Sequence, residues 1–175
     1  MAILPIFKYP SPVLKKKSEP VTEFGPELKE LVEDMAETMY DAPGVGLAAP
    51  QVGVSKQLMV YDVASDDEKG DYTALVNPKI VEKRGEETGE EGCLSVREYS
   101  AEVKRAQWIK FEAQDIEGNE VSFEAEDWLA RVLQHEIDHL NGILFIDHLS
   151  SLKRMLYKKK LKKILQINKE KEAAK

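Results

Sequence analysis

The stretch Gln134-His135-Glu136-Ile137-Asp138-His139-Leu140-Asn141-Gly142 constrains this 175-residue chain more than any other. Two histidines four residues apart stand one above the other on one face of an α-helix. There both imidazoles can reach a single metal ion, and Glu136 lies beside them as a general base for water activated at that ion. The surrounding residues spell a helix. Glu126 and Asp127 place negative charge at its start, where the helix dipole favours it. Trp128, Val132, His135 and His139 recur along one stripe, and Leu129, Leu133, Glu136 and Leu140 along the next. Gly142 is a stop signal. A helix apolar on so much of its surface is predicted to be buried, and a buried carboxylate needs a partner or a task.

Length predicts one domain with an adequate core. With 42% hydrophobic and 33% charged residues, and no apolar run long enough to span a membrane, the composition fits a globular protein in water. Met1–Phe7 lacks the basic segment and cleavage site of a secretory signal. Cys93 is the only cysteine, so no internal disulfide can form. Both features predict a cytoplasmic setting. A net charge of −7 argues against a protein that coats nucleic acid, although the charge is unevenly spread.

Pro5, Pro10, Pro12 and Pro20 predict an extended, turn-rich arm over residues 1–24. Pro26 suits a first helical position. Leu28, Leu31, Val32, Met35, Ala36 and Met39 then mark an amphipathic helix that packs on a sheet. The next stretch, Pro43-Gly44-Val45-Gly46-Leu47-Ala48-Ala49-Pro50-Gln51, is small and apolar, and its glycines allow another backbone to come close. It lacks the Gly-Lys-Ser/Thr ending of a phosphate loop, and by itself reads as a tight turn leading into a strand. Gln57–Val63 and Tyr72–Val81 read as strands, residues 82–91 as an exposed acidic stretch, and Ala101–Asp115 as one long strand. Glu117-Gly118-Asn119 turns the chain into a returning strand at Val121–Phe123. From Lys153 the chain is basic, and Leu152, Leu156, Leu161, Ile164 and Leu165 interleave with the lysines. This predicts a basic amphipathic helix that packs by its leucines and frays after about Gln166.

Two histidines leave a catalytic metal short of a third protein ligand. The zinc-protease pattern His-Glu-x-x-His-x-x-Gly-x-x-His would place a histidine at position 145, which is Phe145. Asp147 lies at the helix end, and His148 has the wrong spacing and is expected to pack or cap. Upstream, Cys93 follows Gly92, and a thiolate with two imidazoles makes a coherent catalytic shell.

Three separated motifs in this order, Gly44–Gln51, Glu91-Gly92-Cys93-Leu94-Ser95 and Gln134–His139, resemble the peptide deformylases, and the likeness covers nearly the whole chain. Those enzymes remove the formyl group from the N-terminal methionine of nascent polypeptides. The resemblance implies that Cys93, His135 and His139 hold the metal and that Glu136 is the general base. It further implies that the Gln51 amide and the Leu94 backbone N–H donate to the developing oxyanion. Gly44, Val45 and Gly46 would then receive the substrate backbone as an added strand. Val45, Leu94, Trp128 and Val132 are expected around the methionine side chain. The donor set alone suggests zinc. Fe(II), with Ni, Co or Zn as possible occupants, follows from the resemblance only. Arg97 stands where the family commonly has proline, and is expected to bring charge near the mouth of the site. The basic C-terminal helix is expected to dock on the ribosome.

The predicted fold is α+β, with antiparallel sheets wrapped around a central metal-binding helix and flanked by an N-terminal and a C-terminal helix. Residues 1–150 form the catalytic domain, and 151–175 the basic helix and tail of the same domain. Two other functions are open at this level. One is a zinc peptidase, against which Phe145 speaks. The other is a ribosome-associated binding protein with a relic metal site, against which the intact ligands, base and Gln51 speak.

Overall fold

The computed structural model describes residues 2–174. Five strands form one antiparallel sheet in the order β1 (Gly46–Ala48), β2 (Leu58–Tyr61), β3 (Thr73–Arg84), β6 (Trp108–Gln114) and β7 (Glu120–Glu126). Between β3 and β6 the chain leaves this sheet to build a separate hairpin, β4 (Glu87–Cys93) and β5 (Val96–Arg105).

Helix α1 (Pro26–Asp41) begins on its proline and buries Leu28, Val32, Met35, Ala36 and Met39. Strand β2 explains how two helices share one sheet. Its alternate residues point to opposite faces, so that Leu58 and Val60 join α1 in one apolar cluster. Met59 and Tyr61 join Leu133 and Ile137 of helix α2 (Asp127–Leu140) in another. Helix α2 is buried continuously from Ala130 to Ile137, as its all-round apolar surface requires, while Trp128 remains 51% exposed. The sheet lies on one side of α2, and the β4–β5 hairpin reaches it from another. Past the C-terminus of α2, Gly142 takes a φ of +76°, and a Cβ there would lie 2.5 Å from the Lys15 carbonyl oxygen. The N-terminal arm is threaded that tightly over the helix end. This arm is extended apart from a 3-10 turn at Pro12–Lys15.

Three expectations are corrected. Residues 101–115 are two strands in different sheets, parted at Ala106-Gln107. The Gln134 side chain explains the break, because it donates to the Ala106 carbonyl at 2.9 Å and accepts from the Ala106 N–H at 3.0 Å. An α2 side chain thus takes the place of a ladder partner. Residues 82–91 finish β3 and form most of β4; they are exposed as expected except at Gly89, which is half-buried, and Glu91, which is buried. Finally, helix α3 (Ser151–Ala173) runs well past Gln166, and its packing differs from the expected leucine seam. Tyr157 and Leu161, one turn apart, are buried with Leu14, Val96, Val103 and Phe145. Leu152, Met155 and Leu156 are exposed.

Candidate metal centre and active site

His135 and His139 project from consecutive turns of α2, and their Nε2 atoms lie 3.2 Å apart. Cys93, at the end of β4, brings its Sγ to 3.3 Å from His139 Nε2. The three ligand atoms lie within 4.8 Å of one another. A tetrahedral centre with bonds of about 2.0 Å to nitrogen and about 2.3 Å to sulfur needs its ligand atoms roughly 3.3–3.6 Å apart. The two distances to His139 Nε2 fall within about 0.2 Å of that range, and the three donors lie close enough together to share one ion. No sequence spacing relates Cys93 to the histidines. Their meeting depends on the hairpin being laid against α2.

The imidazole of His135 is oriented from behind. Its Nδ1 lies 2.9 Å from Glu91 Oε1, which leaves Nε2 facing the ligand cluster. Glu91 is also held by Arg105, with Nε at 2.9 Å and Nη2 at 2.8 Å, and by Arg131 Nη1 at 2.7 Å. Burial opposes ionisation of Glu91, but the hydrogen bonds from Arg105 and His135 overcome it and hold the carboxyl well below the usual range. Arg105 also pairs with Asp138, which is 2.8 Å from His148 Nε2. His148 is exposed and takes no part in the ligand cluster; it pairs with Asp138 on the outer side of this network.

Glu136 is buried, and among the described residues its Oε2 has no hydrogen-bond partner. Its Oε1 is 4.0 Å from His135 Nε2. Burial, assisted by the charge on Glu91, pushes its pKa up to about 7 against the opposing pull of His135. A carboxylate poised near neutrality with an unpartnered oxygen suits both taking and returning a proton. Gly46 makes room for it, since a Cβ on β1 at this position would lie 2.9 Å from Glu136 Oε1.

Gln51 is buried in a 3-10 turn, Ala49–Val52, directly after β1. Its Oε1 accepts from the Ala48 N–H at 3.0 Å, which turns its Nε2 toward Ser95 Oγ at 3.1 Å and Cys93 Sγ at 3.6 Å. The Ser95 hydroxyl donates to the Phe7 carbonyl at 2.7 Å, so its oxygen is the acceptor for Gln51. A cavity of about 390 Å³ opens over these groups. Gly44, Val45, Gly46, Leu94, Trp128 and Val132 line it, with Gln51, Cys93, His135 and Glu136 at its base. Every residue proposed from the sequence for ligation, proton transfer, oxyanion contact or the apolar pocket thus surrounds one space, apart from His139, which lies beneath it. Arg97 does not belong there. Its Nη1 donates to the Tyr9 carbonyl at 3.2 Å, so its charge is turned to the N-terminal arm and away from the mouth.

Glu91, Ser95, Arg105 and Arg131 were not singled out as separate functional residues by sequence reasoning. Arg131 carried a usable signal, because a cation amid Ala130, Val132 and Leu133 on a buried helix requires an anion elsewhere in the fold.

Residues 3–155 match the family model described as polypeptide deformylase. A peptide deformylase of Desulfotalea psychrophila is 60% identical over 164 residues, covering 93% of this chain and 97% of that protein. The crystal structure of a peptide deformylase from Legionella pneumophila superposes with a TM-score of 0.89 at 46% identity, covering 95% of this chain and 98% of the other. The peptide deformylase of Ehrlichia chaffeensis in complex with actinonin gives a TM-score of 0.87 at 42% identity, covering 93% and 98%. Sequence, fold and site agree, and the chain belongs to the polypeptide deformylase family.

Proposed function

We propose that this protein hydrolyses the formyl amide at the N-terminal methionine of nascent polypeptides in the cytoplasm, releasing formate. One observation carries this reading. The Glu136 carboxylate, Cys93 and His135 line one cavity, His139 completes the ligand cluster beside them, and the cavity reaches the start of β1, which among the described strands pairs only with β2.

A divalent metal held by Cys93, His135 and His139 would acidify a water molecule and polarise the formyl oxygen. Fe(II) is the occupant suggested by family resemblance, and the donor set also suits Ni, Co or Zn. The remaining chemistry belongs to the chain. Glu136 accepts the proton of the attacking water and passes it to the departing amine nitrogen, which its raised pKa permits near neutral pH. The Gln51 amide, already held by Ala48, and the Leu94 N–H donate to the oxygen on which negative charge develops. Gly44 and Val45, which lead into β1, and Gly46, its first residue, offer their backbone to the substrate as an added strand. Val45, Leu94, Trp128 and Val132 supply the apolar wall against the methionine side chain. Position 145, where a zinc protease of this motif would carry its third histidine, is a buried phenylalanine whose ring lies 6.1 Å from that of His135.

Helix α3 is the surface we assign to the ribosome. Lys158, Lys159, Lys162 and Lys163 are exposed beside Leu152, Met155 and Leu156, in a chain whose overall charge is negative. Because Tyr157 and Leu161 are core residues, truncation would disturb the fold as well as the surface. Replacing the four lysines by glutamate separates the two effects. Ribosome co-sedimentation should fall and lose its salt dependence while peptide turnover persists, and unchanged co-sedimentation would reject the assignment. The activity itself is tested by comparing formate release from a short N-formyl-methionyl peptide with cleavage of an unformylated peptide. Formate release alone is expected, and internal cleavage alone would return the site to the peptidases. Among the described residues no helix is long and apolar enough to cross a membrane.

A further inference from the structure

The proposed metal ligands come from two units that share no strand ladder: the histidines from α2, and Cys93 from the hairpin β4–β5. A three-ligand site built this way is only as well defined as the joint between them. That joint is centred on one side chain. Arg131 leaves α2 one turn before His135 and crosses to the hairpin, where it meets both strands. Its Nη2 donates to the Glu87 carbonyl at 2.7 Å, and its Nη1 donates to the Val103 carbonyl at 2.8 Å and to Glu91 Oε2 at 2.7 Å. Gly89 lies against the guanidinium plane, where a Cβ would come within 3.1 Å of Cζ and Nε. The strand is therefore bare at the point where the arginine crosses it.

We propose that Arg131 is a positioning residue for the metal. It fixes the height of the cysteine-bearing hairpin on the two-histidine helix and, through Glu91, the orientation of His135. This rests on the reading of Cys93, His135 and His139 as the ligands. Two geometric routes lead from the same guanidinium to the site. One runs through the hairpin backbone to Cys93, the other through the Glu91 carboxylate to His135 Nδ1. The guanidinium spans the two strands, with Nη2 on the Glu87 carbonyl and Nη1 on Val103 and Glu91, a reach that the three donors on a lysine's single nitrogen do not have. Arg105 also grips Glu91, so the carboxylate keeps a cationic partner when Arg131 is altered. Loss of Arg131 therefore frees the hairpin more than it strands a buried charge.

The test uses full-length protein loaded with Co(II), whose thiolate-to-cobalt absorption in the near ultraviolet reports the sulfur ligand directly. Arg131→Lys removes the carbonyl contacts while keeping the charge. Gly89→Ala presses on the Arg131 guanidinium from the hairpin and changes no residue of α2. Both should give up Co(II) to a competing chelator about tenfold more readily than the parent, with a weakened or shifted thiolate band and an unchanged far-ultraviolet helix signal. Retention of Co(II) within twofold of the parent, with the same band, would overturn the proposal. Loss of the folded helix signal in both loaded variants would also overturn it, by making Arg131 a structural prop and nothing more. A parent protein without a thiolate band would instead remove the ligand reading beneath it, a result recognisable because it needs no variant.

Discussion

Gly46→Ala probes the active-site geometry through a single methyl group. A Cβ at this position would stand 2.9 Å from Glu136 Oε1, 3.0 Å from its Cγ and 3.1 Å from its Cδ. Ordinary contacts begin near 3.4 Å, so the carboxylate must retreat by roughly half an ångström. A misplacement of about 1 Å can cost on the order of a hundredfold in rate. Half of that predicts a loss of about tenfold in kcat, equivalent to about 1.4 kcal/mol in the barrier. The backbone of Gly46 does not lie in the left-handed region, so alanine introduces no strain there. The assay is steady-state formate release, with metal content and thermal unfolding measured on the same samples. Metal content should be unchanged, and the loss should fall in kcat. A double-mutant comparison sharpens the test. In a Glu136→Gln background the methyl should cost little more, because both changes act on one carboxylate. Parent-like kcat in Gly46→Ala, a change in KM alone, or full additivity with Glu136→Gln would refute the reasoning.

Three other outcomes follow from the same geometry. Gln51→Leu should lower kcat by about a hundred- to a thousandfold with the metal retained, as expected for loss of one oxyanion donor, and an undiminished kcat would remove Gln51 from that role. Burial raises the Glu136 pKa to about 7, and the base works only when ionised. The acid limb of kcat/KM should therefore rise with pH through the neutral range and vanish as a titrating limb in Glu136→Gln. A limb near the ordinary carboxylate value would contradict the shielding described. If Fe(II) is the native metal, exposure to air should inactivate the enzyme through oxidation of the metal or of Cys93, and Ni(II) exchange should prevent it. Full activity after long aerobic storage without exchange would count against iron.

How far the sequence could be read depended on the range of each interaction. Helices α1 and α2 were legible because a periodic apolar face is a local property, and the proline at Pro26 and the glycine at Gly142 mark their ends. The histidine pair and its glutamate were legible for the same reason. The division of residues 101–115 between two sheets was not. It depends on Gln134, a side chain 28 residues later that occupies the Ala106 peptide. The burial of Glu91 was hidden in an acidic stretch, because its partners Arg105, Arg131 and His135 come from β5 and α2. In α3 the leucines suggested the packing face, yet the domain offers its aromatic cluster of Tyr9 and Tyr99 to Tyr157, and Leu152 and Leu156 remain outside.

The most direct measurement is single-turnover formate release from an N-formyl-methionyl peptide by anaerobically prepared, metal-loaded protein, set beside Glu136→Ala carrying the same metal content. The account predicts rapid release by the parent and essentially none by the variant, with one metal per chain in both. Release by Glu136→Ala at the parental rate, with its metal in place, would contradict the assignment of Glu136 as the group that moves the proton.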